Sequence, residues 1–64
     1  MTNELRTRIL AALDDYAELL DSGIEAHTVP GTDQAVPCEQ EILDDLRTRR
    51  GEVEAIKAEL EGRA

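Results

Sequence analysis

The chain has 64 residues and carries 15 Asp and Glu against seven Lys and Arg, so its formal net charge is -8. This length allows one small domain, residues 1–64, and excludes enzymes that need a deep pocket between domains. The negative charge argues against direct binding to nucleic acid or to an anionic membrane surface, since both need a basic surface. No apolar run approaches the roughly 20 residues of a membrane span.

Ala, Leu, Glu and Arg make up nearly half of the chain, and these residues favour helices. Residues 3–22 predict an amphipathic helix with Thr2 or Asn3 as its N-cap. At 100° per residue, its apolar side chains lie within about 60° of one direction. They are Leu5, Ile9, Ala12, Leu13, Tyr16 and Leu20. Gly23 is predicted to end this helix in a left-handed conformation, with Ile24 packing on Leu19.

Residues 24–37 predict a connector with a turn at Pro30-Gly31. Helix–helix connections usually have about two to eight residues, so this one is long. A connector of this length is either mobile or used in function.

Residues 38–61 predict a second helix, with Pro37 suited to the first turn. Its predicted contact positions alternate four- and three-residue steps, which is coiled-coil spacing. They are Ile42, Leu46, Arg49, Val53, Ile56 and Leu60. The predicted fold is therefore all-α, a two-helix antiparallel hairpin with a long connector.

Leu10 and Leu43 each lie about 100° from the predicted apolar stripe of their helix. Each is either a single exposed leucine, which is common, or part of a second contact surface, which we favour. Arg49 either fixes the register of the helix pair or meets a carboxylate of a partner. We therefore expect the hairpin to complete a helical bundle by self-association or by docking on a partner, with Leu10, Leu43 and Arg49 as candidate interface residues.

Asp15-Tyr-Ala-Glu18 and Glu41-Ile-Leu-Asp44 resemble the paired acidic helices of the all-α nucleotide pyrophosphohydrolases, in which four carboxylates hold Mg²⁺. Glu18 and Asp44 are, however, predicted to point away from the apolar stripes, so a solvated acidic face is favoured.

His27 and Cys38 are too few ligands for a zinc site. Cys38 is expected to be packed or idle, with a reactive or dimer-linking thiol as the alternative. We expect no catalytic, metal or cofactor-binding residues.

Leu5-Arg-Thr-Arg-Ile-Leu-Ala-Ala-Leu13 resembles the start of many short proteins of actinobacteria and their phages. That resemblance implies an actinobacterial or phage origin and no particular activity. The single cysteine and the lack of a signal peptide predict a cytoplasmic protein.

The function expected from these features is a non-enzymatic interaction or regulatory protein that binds another protein, or itself, through its helices. One alternative is an acidic nucleic-acid mimic that inhibits a DNA- or RNA-binding protein, and another is a virion or assembly component. The mimic would use an acidic face of Glu4, Asp14, Asp15, Glu18 and Asp44. The negative charge is spread along the chain, which favours solubility as its explanation.

Overall fold

The computed structural model describes residues 2–62, which form two α-helices, α1 (Asn3–Ala26) and α2 (Gln40–Leu60). The helices pack against each other, and ion pairs join Asp14 to Lys57 and Asp21 to Arg50. Residues later in α1 thus meet residues earlier in α2, so the pair is antiparallel. The predicted all-α hairpin is confirmed. It measures 45 × 20 × 18 Å.

Helix α1 begins as predicted and ends later than predicted. Thr2 is the N-cap, and its hydroxyl accepts a hydrogen bond from the backbone N–H of Leu5 at 3.1 Å. The helix then runs through Gly23 to Ala26, so the predicted left-handed ending at Gly23 is wrong. A Cβ at Gly23 would lie 3.2 Å from Leu46 Cδ1. The glycine therefore serves close packing against α2, and helix formation continues past it.

Helix α2 begins two residues later than predicted. Cys38 has a positive φ of 71°, which breaks the helical path, and Glu39 becomes the N-cap residue. The Glu39 side chain makes no cap hydrogen bond, because its carboxylate contacts Nδ1 of His27. This contact joins the end of α1 to the start of α2.

The connector is ordered by its own backbone. Thr32 N–H donates to Val29 O at 3.1 Å, and Gly31 has a φ of 79°, as expected for a type II turn with Pro30 at its second position. An isolated antiparallel bridge pairs Thr28 with Ala35. The interpretation of this segment as mobile is therefore not supported by its geometry.

The core lies along one line between the helices, at positions that alternate three- and four-residue steps. On α1 these buried or half-buried positions are Leu10, Leu13, Ala17, Leu20 and Ile24. On α2 they are Leu43, Leu46, Arg50, Val53, Lys57 and Leu60. Both helices are therefore turned by about 50–70° from the predicted orientation at 100° per residue. The observed pairing lets small Ala17 and Gly23 bring the helices together, and it places two cations opposite two carboxylates.

Candidate protein interface

The structure places the three candidate interface residues in different environments. Leu43 has no exposed surface and belongs to the core of the hairpin, so it offers no surface to a partner. Leu10 is half-buried at a contact position of α1. Arg49 lies off the core line between the helices, and 54% of its side chain is exposed.

Part of each predicted contact stripe lines the core as predicted, at Leu13, Leu20, Leu46, Val53 and Leu60. The other apolar positions of the predicted stripes leave part of their surface open. Large apolar side chains with substantial exposure are Leu5 (49%), Tyr16 (38%), Leu19 (71%), Ile42 (47%) and Ile56 (44%). Helical geometry places most of them on one side of the hairpin, roughly a quarter turn from the core on each helix. We call this surface the apolar face and define it by Leu5, Ile9, Ala12, Tyr16, Ile42 and Ile56.

A contact between the helices supports the placement of both halves of the apolar face on the same side. The pKa of Arg49 is raised, most by a hydrogen bond to the Tyr16 hydroxyl of α1 and next by a hydrogen bond to the Asp45 carboxylate. The Asp45 partner lies one turn away on α2, with Arg49 Nε 2.9 Å from Oδ2. Arg49 therefore lies beside Tyr16 of α1 and between Ile42 and Ile56 of its own helix.

The opposite side of the hairpin is closed by ion pairs across the helices. Lys57 Nζ lies 2.6 Å from Asp14 Oδ1, and Arg50 Nε lies 2.9 Å from Asp21 Oδ1. The aliphatic parts of both cations cover the core from this side. The pKa of Lys57 is raised, mainly by its hydrogen bond to Asp14. The pKa of Arg50 is also raised, most by its hydrogen bond to Glu54 and next by its hydrogen bond to Asp21.

The hairpin exposes more surface than a compact protein of its size. Its accessible surface is 4801 Å², whereas a compact monomer of 7.1 kDa exposes about 4,100 Å². The excess of about 700 Å² is close to the roughly 800 Å² that one partner buries in a standard protein interface. The radius of gyration, 14.2 Å, likewise exceeds the approximately 11 Å of a compact domain.

The five residues of the predicted acidic face do not form one surface. Glu4 pairs with Arg8 at 3.0 Å, Asp14 with Lys57 across the hairpin, and Asp44 accepts a hydrogen bond from the Gln40 amide at 2.7 Å. Asp15 and Glu18 are exposed and point away from the core on α1, with Asp15 on the side next to the apolar face. Asp44 lies on the outer side of α2, so it is separated from them by the width of the molecule. This arrangement weakens the nucleic-acid-mimic alternative.

The carboxylates that resemble the pyrophosphohydrolase pattern do not converge either. Asp15 and Glu18 point away from the core on α1, and Glu41 and Asp44 point away from it on α2. Within residues 2–62 no group of three or more His, Cys, Asp or Glu side chains is arranged to hold a metal ion. Cys38 is exposed and forms no disulfide, so of the predicted packed or idle thiol the packed form is wrong.

A cleft of about 420 Å³ lies between the end of α1, the connector and Arg47. Arg47 donates to the backbone carbonyl of Asp33 at 3.0 Å and so ties the connector to α2. The position of this cleft was not predicted from the sequence, because it depends on how the connector folds back onto α2. The side-chain nitrogen and oxygen atoms buried in residues 2–62 all have hydrogen-bond partners, so no orphaned polar group points to a ligand.

Comparisons with protein-family models, with curated proteins and with solved structures give no match for this chain. Among residues 2–62, neither helix has the length and apolar character that a membrane crossing requires.

Proposed function

We propose that this protein is a small, non-enzymatic interaction or regulatory protein whose apolar face completes a helical bundle with another polypeptide. The observation that carries the proposal is the apolar face itself, since Ile42, Ile56 and Tyr16 leave 38–47% of their surface exposed on one side of the hairpin. Large contiguous apolar surfaces are rare on monomers and mark sites of association.

The small size of the core adds to this support. Only Ala17, Leu20, Leu43 and Val53 are fully buried among the described residues 2–62. A core of four residues contributes little stability, and small helical units commonly gain the remainder by association. Covering the apolar face would bury several more large side chains at about 25 cal/mol per Å² of apolar surface. We propose a cytoplasmic site of action, supported by a single free cysteine.

The test compares two double variants of α2. Ile42→Gln with Ile56→Gln makes the apolar face polar without touching the fully buried core. Thr48→Gln with Ala55→Gln changes the outer side of the same helix and serves as the matched control. Circular dichroism first establishes that both variants remain helical.

Association is then measured in two ways: self-association by analytical ultracentrifugation, and retention of host proteins on the immobilised chain. We expect the apolar-face variant to lose association and the control variant to keep it. The proposal fails if wild type and both variants are equally monomeric and retain the same proteins, because the apolar face would then make no difference to binding.

A further inference from the structure

The edges of the apolar face carry a pattern of charge that distinguishes among possible occupants. On α2, Asp45, Glu52 and Glu59 follow Ile42, Arg49 and Ile56 by three residues each and form one edge. Asp15 follows Ala12 in the same way and lies on the edge formed by α1. All four of these carboxylates are exposed.

Most of this negative charge is not neutralised within the hairpin. Asp45 is paired with Arg49, but Glu52, Glu59 and Asp15 make no ion pair within residues 2–62. Of the cations near the face, Arg8 and Arg49 are each already bound to a carboxylate of their own helix, whereas Arg6 beside Ile9 makes no ion pair within residues 2–62. The apolar face therefore has an acidic edge on α2, and one carboxylate without an ion pair, Asp15, at its edge on α1.

A second copy of the chain is a poor fit to such a surface. Two hairpins packed through their apolar faces would bring acidic edges together, and each copy already carries a net charge of -8. Like charges placed opposite each other across an interface disfavour association and select against that partner. A partner with basic side chains beside an apolar stripe would instead meet opposite charge at both edges.

The dimensions of the face suit one more helix. Ile42 and Ile56 are 14 residues apart, and at 1.5 Å per residue they span about 21 Å. A partner helix of about four turns covers this length and can lie in the shallow groove between α1 and α2. Adding one helix to a hairpin in this way gives a three-helix bundle.

We propose that the apolar face binds an amphipathic helix of another protein, with an apolar stripe flanked by Lys or Arg on both sides. This inference rests on the proposed function and identifies the chemistry of the partner. The apolar stripe covers Tyr16, Ile42 and Ile56, and the flanking cations pair with Glu52 and Glu59 on α2 and with Asp15 on α1.

The test uses three synthetic 18-residue peptides and the full chain. The first has Leu at heptad contact positions with Lys on both flanks. The second keeps the Leu positions and replaces Lys by Glu, and the third has the composition of the first with its Leu and Lys positions scrambled. Isothermal titration calorimetry gives the affinities, and amide chemical shifts of the labelled protein locate the site.

We expect the first peptide to bind at least about tenfold more tightly than either of the others. Its shift changes should centre on Tyr16, Ile42 and Ile56. Glu52→Gln with Glu59→Gln should weaken binding about three- to tenfold at low salt. The matched charge removal Glu18→Gln with Asp44→Asn, on the outer sides, should change it less than twofold.

Two results would overturn the inference. Equal binding of the first and scrambled peptides would show that charge alone attracts them, as in an acidic mimic. A wild-type dimer that binds no peptide, but dissociates when Ile42 and Ile56 are both changed to Gln, would make a second copy the occupant. If the dimer dissociates in this way, the proposed function stands and only the chemistry proposed for the partner is wrong. If changing Ile42 and Ile56 to Gln leaves association unaffected, both the proposed function and this inference are wrong.

Discussion

The substitution Gly51→Ala tests the energetics of α2 most directly. Gly51 lies inside the helix, and a Cβ built on it meets no atom within 4 Å. Its position faces away from both the core and the apolar face. The substitution therefore adds helix propensity without changing packing or association.

Replacing an exposed interior glycine of a helix by alanine gains about 1 kcal/mol. Unfolding entropy is about 2.1 cal/mol/K per residue, so for a chain of this length the gain corresponds to a rise in Tm of about 7 °C. Thermal unfolding followed by circular dichroism at 222 nm measures this rise, and repeating it at several protein concentrations separates folding from association.

Gly23→Ala is the matched comparison. It adds the same propensity, but the new Cβ would lie 3.2 Å from Leu46 Cδ1 and 3.6 Å from Cδ2, so Leu46 has to move. We expect its gain to be less than half that of Gly51→Ala. A Gly51→Ala protein no more stable than wild type, or less stable than Gly23→Ala, would refute the reasoning.

Three further changes probe other parts of the hairpin. Leu43→Ala should cost about 2–5 kcal/mol in the free energy of unfolding, since Leu43 is fully buried, whereas Ile42→Ala should cost less than half as much; equal costs in urea unfolding would contradict the observed core. Thr2→Ala removes the N-cap acceptor and should cost about 1 kcal/mol, with faster amide exchange in the first turn of α1; unchanged exchange would show that the cap contributes nothing. The Asp14 hydrogen bond raises the pKa of Lys57 above its ordinary 10.5, so this ion pair stabilises the fold fully below pH 10.5 and loses its effect as pH rises through the raised pKa. The stability difference between wild type and Lys57→Met should therefore shrink between pH 9 and pH 12, and a constant difference would argue against a contribution from the pair.

Much of the secondary structure was predictable, because helix propensity and the Thr2 cap are local properties of the sequence. The C-terminal end of α1 was not. In the sequence alone, Gly23 followed by Ile24 fits the end of a helix as well as it fits a helix interior. In the structure Gly23 stays helical and leaves room for Leu46, which approaches from the other helix. Such a contact cannot be read from one helix alone.

The orientation of the helices was also not predictable from apolar periodicity. Each helix has two adjacent apolar stripes, and the more apolar one was assigned to the core. The observed core keeps one edge of the predicted stripe, at Leu13, Leu20, Leu46, Val53 and Leu60, and adds positions beyond it. Arg50 and Lys57 can occupy two of the added positions, because their charged ends extend to Asp21 and Asp14 while their stems stay between the helices. The prediction placed Leu43 outside the core for this reason.

The side of the hairpin closed by ion pairs has a consequence for stoichiometry. A bundle-forming unit with two open sides can add neighbours on both and grow into a filament. Here the Asp14–Lys57 and Asp21–Arg50 pairs occupy one side, and only the other is free to take up a helix. A complex formed through the apolar face therefore ends after one addition, with one hairpin for each partner helix.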